Sequence, residues 1–115
     1  MEITIADKIY TFKFGFKFLT EINKEHTKTE NGVEVKMGLL NALSNLMIGD
    51  VETLVNVLVK ANATENPRLT EKVIEELFND NDVDTIFELV FDGLEKSGFT
   101  RKMTRMVRKS VDEAK

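Results

Sequence analysis

Asp80, Asp82 and Asp84 alternate with Asn81 and Val83, the spacing at which carboxylates open a calcium loop. The pattern fails further on: the sixth position is Thr85, where the sharp turn requires glycine, and the twelfth is Phe91, where a bidentate glutamate belongs. Acidic residues at a helix start, favoured by the positive end of the macrodipole, account for the run without a metal. His26 is the only histidine and there is no cysteine, so a metal-ligating set or a nucleophile with its base lacks companions. No glycine-rich phosphate loop occurs, and the six glycines read as turns or helix ends. The expectation is a protein that is not an enzyme and uses no cofactor or metal.

Charge arranged for binding is the stronger signal. Asp84, Glu88, Asp92 and Glu95 recur at helical spacing and give one helix a carboxylate face. Arg101, Arg105, Arg108 and Lys109 give the next helix a basic face, with Lys102 beside it. The short Ser97-Gly98-Phe99 link between them can fold the two antiparallel, so that the faces pair within the molecule. The alternative is that the basic helix binds a polyanion such as nucleic acid, against which stands the net charge of -4. The same helix carries Met103, Met106 and Val107 on an apolar side suited to core packing or to gripping a partner helix.

The elements that position these faces follow from periodicity. Tyr10, Phe12, Phe14, Phe16 and Phe18 fall on every second residue, a strand period that would put five rings on one face. Ile3 and Ile5 alternate upstream, so a hairpin spans 1–14; Gly15 is the natural end of its second strand, and Phe16 and Phe18 can instead open a helix through Leu19 and Ile22. The polar stretch 26–32, with its Asn31-Gly32 pair, reads as a loop. Helical spacing returns over 37–48 and ends at Gly49; Asp50 caps a third helix with Val51, Leu54, Val55 and Leu58 on its core stripe. Val57 and Val59 lie off that stripe and are the expected extra apolar surface for a client or a second copy. Asn66-Pro67 interrupts, Thr70 caps a fourth helix, the acidic run separates it from a fifth, and Thr100 can cap a sixth reaching towards Lys115. The fold class is α+β, mostly α: an N-terminal β-hairpin over 1–14 followed by about six helices over 15–115, in one compact domain.

Composition sets the remaining bounds. The 115 residues are 42% hydrophobic and 31% charged, enough for one globular core and not for two. The start Met1-Glu2-Ile3-Thr4 has no basic region followed by an apolar core, and no apolar run approaches a membrane span, so no membrane role is expected. Asn62-Ala63-Thr64 matches a glycosylation acceptor, read as coincidence without a secretory signal. Charge is segregated: residues 1–64 hold 7 basic and 8 acidic groups, 65–95 hold 2 and 10, and 96–115 hold 7 and 2. Such asymmetry implies internal pairing or two separate electrostatic surfaces.

Several of these features together carry a family resemblance. They are Ile3-Thr4-Ile5, the run Lys8-x-Tyr10-x-Phe12-x-Phe14-Gly15-Phe16, the helix start Phe18-Leu19-x-Glu21-Ile22, Gly32-Val33, and Met37-Gly38-Leu39. With the helix opening at Gly49-Asp50, the acidic stretch over 75–95 and the basic tail after Ser97-x-x-Thr100, the chain resembles, over nearly its whole length, the tail assembly chaperones of long-tailed (siphovirus-type) phages and prophages of Gram-positive bacteria. The resemblance implies a non-catalytic protein that coats the tape-measure protein until tube subunits polymerise around it. It implies action in the bacterial host cytoplasm, absence from the mature virion, self-association, and a longer frameshifted form that recruits the tail-tube protein. A nucleic-acid-binding regulator using Arg101, Lys102, Arg105, Arg108 and Lys109, or a structural subunit of the tail, are the alternatives.

Overall fold

The computed structural model describes the backbone of residues 1–113 and side chains as far as residue 111; the expected reach of the last helix to Lys115 lies outside the described residues. Strands β1 (Glu2–Ile5) and β2 (Lys8–Thr11) form an antiparallel hairpin in the register Ile3↔Tyr10 and Ile5↔Lys8. Ala6 and Asp7 both take positive φ, as a tight two-residue hairpin turn requires. A two-stranded hairpin is marginal alone. This one is held because Ile3, Ile5, Tyr10, Phe12 and Phe14 are buried on the helices, and because the Lys13 amide donates to the Ala61 carbonyl at 2.8 Å.

The aromatic alternation holds as far as Phe14 and then stops. Gly15 stands at the N-terminus of α1 (Phe16–Asn23), where the period changes from two to 3.6. Phe18 and Ile22 turn inward, whereas Phe16 is 63% exposed, so the five rings do not share one face. Residues 26–32 are not simply a loop: β3 (Thr27–Glu30) and β4 (Val33–Lys36) make a second antiparallel hairpin around Asn31-Gly32, both at positive φ. Nearly all of it is exposed, which is why no apolar stripe announces it.

Helix α2 (Gly38–Met47) starts against the end of α1, where Asn23 Oδ1 accepts a bond from the Leu39 amide at 2.9 Å. It ends in a Schellman arrangement, with the Gly49 amide donating to Leu46 and the Asp50 amide to Asn45, and Gly49 supplying the left-handed φ. Asp50 then caps α3 (Val51–Asn62) by accepting from the Glu52 amide. The stripe that α3 buries is Leu54, Val57, Leu58 and Ala61. Asn62, fully buried at its end, donates to the carbonyls of Thr11 and Pro67 and accepts from the Leu69 amide, tying β2, α3 and the following loop together.

Helix α4 (Glu71–Asp80), capped by Thr70, adds Leu77 to the same core, and α5 (Val83–Lys96) adds Ile86, Val90, Phe91 and Leu94. Helix α6 (Arg101–Glu113) packs on α2 and α5. Thr100 precedes it as expected but does not act as a simple cap. Its buried hydroxyl donates back to the Leu94 carbonyl at 2.5 Å, and Thr104 donates to the Thr100 carbonyl at 2.7 Å. No helix among the described residues is long and apolar enough to cross a membrane.

Candidate functional site: a groove with walls of opposite charge

The link of residues 97–99 does fold α6 back on α5. Ser97 holds the turn by donating to the Phe14 carbonyl and accepting from the Phe99 amide at 3.3 Å. Arg101 donates to the carbonyls of Glu95 and Lys96 at 3.0 and 2.7 Å, occupying the acceptors at the negative end of α5. About two turns later Arg108 reaches across the interface. It lies 3.2 Å from Glu95, 3.5 Å from Glu88 and 4.0 Å from Asp92, with its guanidinium 5.1 Å from the centroid of Phe91. The carboxylate face and the basic face therefore meet within the molecule through Arg108, while Arg101 anchors the start of α6 on main-chain carbonyls of α5. Lys102 and Arg105 remain exposed, and among the described residues neither makes an ion pair.

Beside this contact an open groove of about 1050 Å³ runs between the α2–α3 turn, α5 and α6. Its floor is apolar: Leu46, Met47, Val51, Val83, Phe87 and Phe91. Asp84, Glu88 and Glu95 border it from α5, and Arg105, Arg108 and Lys109 border it from α6. Apolar surface continues at the turn, where Ile48 is 81% exposed and Val51 44%. No group of His, Asp or Glu among the described residues is placed to hold a metal. His26 lies at the base of the second hairpin, where its carbonyl accepts from the Met37 amide.

The apolar residues expected to form a client or self-association surface are dispersed. Val57 is 1% exposed and belongs to the core, because the inward stripe of α3 runs through 54, 57, 58 and 61 rather than through 51, 54, 55 and 58. An aspartate there would disrupt the fold, so Val57 is not a surface position. Met103 and Val107 are partly buried against the core. Val59 and Met106 are exposed, and both lie outside the groove. Of the residues that line it, Arg105, Arg108 and Lys109 belong to the basic face legible in the sequence and Met47 is one of the methionines suited to client capture, whereas Val51 reads as core and Phe87 carries no signal beyond its helical spacing. A second apolar feature is the exposed pair Phe16 and Phe99, whose ring centroids are 5.8 Å apart.

The molecule is thus a single mostly helical α+β domain that carries an open groove lined by apolar side chains and by charged groups of an acidic and a basic helix. The family model for phage tail assembly chaperone proteins matches residues 2–109, and the chain belongs to that family. No curated protein and no solved structure gives a significant match.

Proposed function

We propose that this protein binds the tape-measure protein of a long-tailed phage and keeps it soluble until the tail tube assembles around it. It acts by holding a client, without catalysis, cofactor or metal. The observation that carries this reading is the family match over residues 2–109. The open apolar groove supports it, since a long helical client that aggregates through its apolar stripe needs such a surface to cover it. On this reading the protein works in the bacterial host cytoplasm, is absent from the finished virion, self-associates along the client, and in a frameshifted longer form recruits tail-tube protein. A nucleic-acid role is disfavoured by the engagement of Arg101 and Arg108 with α5.

The test is co-expression with the tape-measure protein of the same phage. Co-purification that survives high salt, with the client insoluble alone, is the expected result. A client equally soluble alone and unbound would remove the reading, and recovery of the chain from purified particles would favour a structural subunit instead.

A further inference from the structure

The geometry points to the groove between α5, α6 and the α2–α3 turn as the seat of one amphipathic helix of the client, entered apolar side first. The inference rests on the chaperone reading above and adds the site and the chemistry of the segment it takes. Its floor is contributed by aliphatic and aromatic side chains from three helices, which suits the side of a helix about 10 Å across better than a small polar ligand. The walls then select among helices. Asp84 on α5 and Arg105 on α6 both line it, and neither has an ion-pair partner among the described residues. Glu88 is two-thirds exposed even with Arg108 at 3.5 Å. A helix whose apolar stripe is edged by basic side chains towards α5 and acidic ones towards α6 would complete both walls at once. One with either edge reversed would set like charges together over an apolar floor.

The apolar lining does not end at Val51: across Gly49, which presents no side chain at the α2–α3 turn, Ile48 is 81% exposed.

Val51→Asp tests the floor without threatening the fold, because an aspartate in the first turn of α3 suits the helix dipole. Arg105→Glu tests the basic wall, and Val59→Asp, exposed on the same helix outside the groove, is the control. In co-purification with the tape-measure protein, V51D and R105E are each expected to lower recovery at least about tenfold, equivalent to about 1.4 kcal/mol. V59D should match the unsubstituted chain. A photo-crosslinking residue at position 51 should join a client segment with an apolar stripe, basic on one edge and acidic on the other. If the unsubstituted chain holds the client while V51D and R105E hold it equally well, or the crosslink joins two copies of this chain, the groove assignment is wrong and the chaperone reading stands. If the unsubstituted chain does not hold the client, both fall.

Discussion

Arg108 lies across the ring of Phe91, with its guanidinium 5.1 Å from the ring centroid and 3.2 Å from the carboxylate of Glu95. This contact docks α6, which among the described residues also gives the core the partly buried Met103 and Val107 and the buried Thr104, next to the buried Thr100 just before its start. The side chain is 27% exposed, so its ion pairs are screened and the cation–π contact adds about 0.5 to 1 kcal/mol. Arg108→Ala is expected to lower stability by about 1 to 2 kcal/mol in urea denaturation, with part of the difference lost in 1 M salt. Arg108→Lys should recover less than half, because an ammonium cannot lie flat on the ring and reach several carboxylates. An R108A midpoint equal to that of the unsubstituted chain would mean that α6 is held by its apolar side alone.

Asn62 is fully buried with all three of its amide bonds made inside the protein. Asn62→Ala strands the carbonyls of Thr11 and Pro67 and the amide of Leu69. Because a buried polar group without a partner costs about 1 to 3 kcal/mol, the expected loss is about 2 to 4 kcal/mol. Asn62→Asp keeps the acceptor for Leu69 but turns two donors into an acceptor facing carbonyls, so it should be at least as damaging at neutral pH. Thermal melts of the two variants check this; a loss under about 0.5 kcal/mol for N62A would require water to replace the side chain.

A Cβ on Gly38 would stand 1.9 Å from the Ile22 carbonyl oxygen and 2.6 Å from the Asn23 Cα. Both are backbone atoms, so relief requires α1 and α2 to separate and the Asn23 bond to Leu39 to stretch. Alanine is the better helix former by about 1 kcal/mol, and propensity alone would make Gly38→Ala stabilising. The close approach reverses the sign: a loss of about 2 to 4 kcal/mol is expected, or failure to fold. Gly15→Ala, with open space around its Cβ and negative φ, is the control and should change stability by less than about 0.5 kcal/mol. Equal midpoints for the two variants would show that the interface yields.

What could be read from the sequence is what depends on neighbours in the chain. Gly49, Asp50 and Thr70 mark helix ends by backbone chemistry that needs no tertiary context, and the helix spacing of α4 and α5 has one clear apolar stripe. Helix α3 offers two overlapping stripes, 51-54-55-58 and 54-57-58-61, and which is buried depends on where α1 and α2 lie. Val57 was misplaced for that reason. The pairing of α5 with α6 was legible as a match of faces, but not that Arg108 makes it while Arg105 stays free of ion pairs among the described residues. The groove gathers Met47, Val51, Phe87 and Arg105 from segments far apart in sequence, so no local pattern records it.

The second hairpin left a signal that was not used: Thr27 and Thr29, then Val33 and Val35, alternate around Asn31-Gly32, a β-branched pattern around a favoured hairpin turn. Its burial is almost nil, so it should add little to global stability. Met37 already donates to the His26 carbonyl at 2.8 Å, which brings the two ends of the hairpin together. Replacing residues 27–36 with a two-residue Asn-Gly link should therefore cost less than about 1 kcal/mol and leave the core amides protected in hydrogen exchange. A collapse of that protection would make the hairpin part of the folding unit.

Glu25 joins the end of α1 to α3: its carboxylate accepts from Lys60 at 3.0 Å, and its two oxygens accept from Asn56 Nδ2 at 3.1 and 3.0 Å. Partial burial pushes its carboxyl up, but the bonds from Lys60 and Asn56 and the nearby charges of Lys60 and His26 outweigh it, leaving the group below its ordinary value of 4.5. A carboxylate held low in the folded state favours folding above its unfolded value, and that contribution disappears as the pH falls through the folded value. The window is therefore at and below about pH 4.5, not near neutrality. Because the side chain is 37% exposed, screening keeps the contribution under about 1 kcal/mol. Glu25→Gln should be slightly less stable than the unsubstituted chain at pH 7 and equal to it at a pH below the folded value, where Glu25 is protonated in both states. Urea midpoints at the two pH values measure the gap directly. A gap that stayed constant between them would show that Glu25 acts through hydrogen bonding alone, independent of its charge.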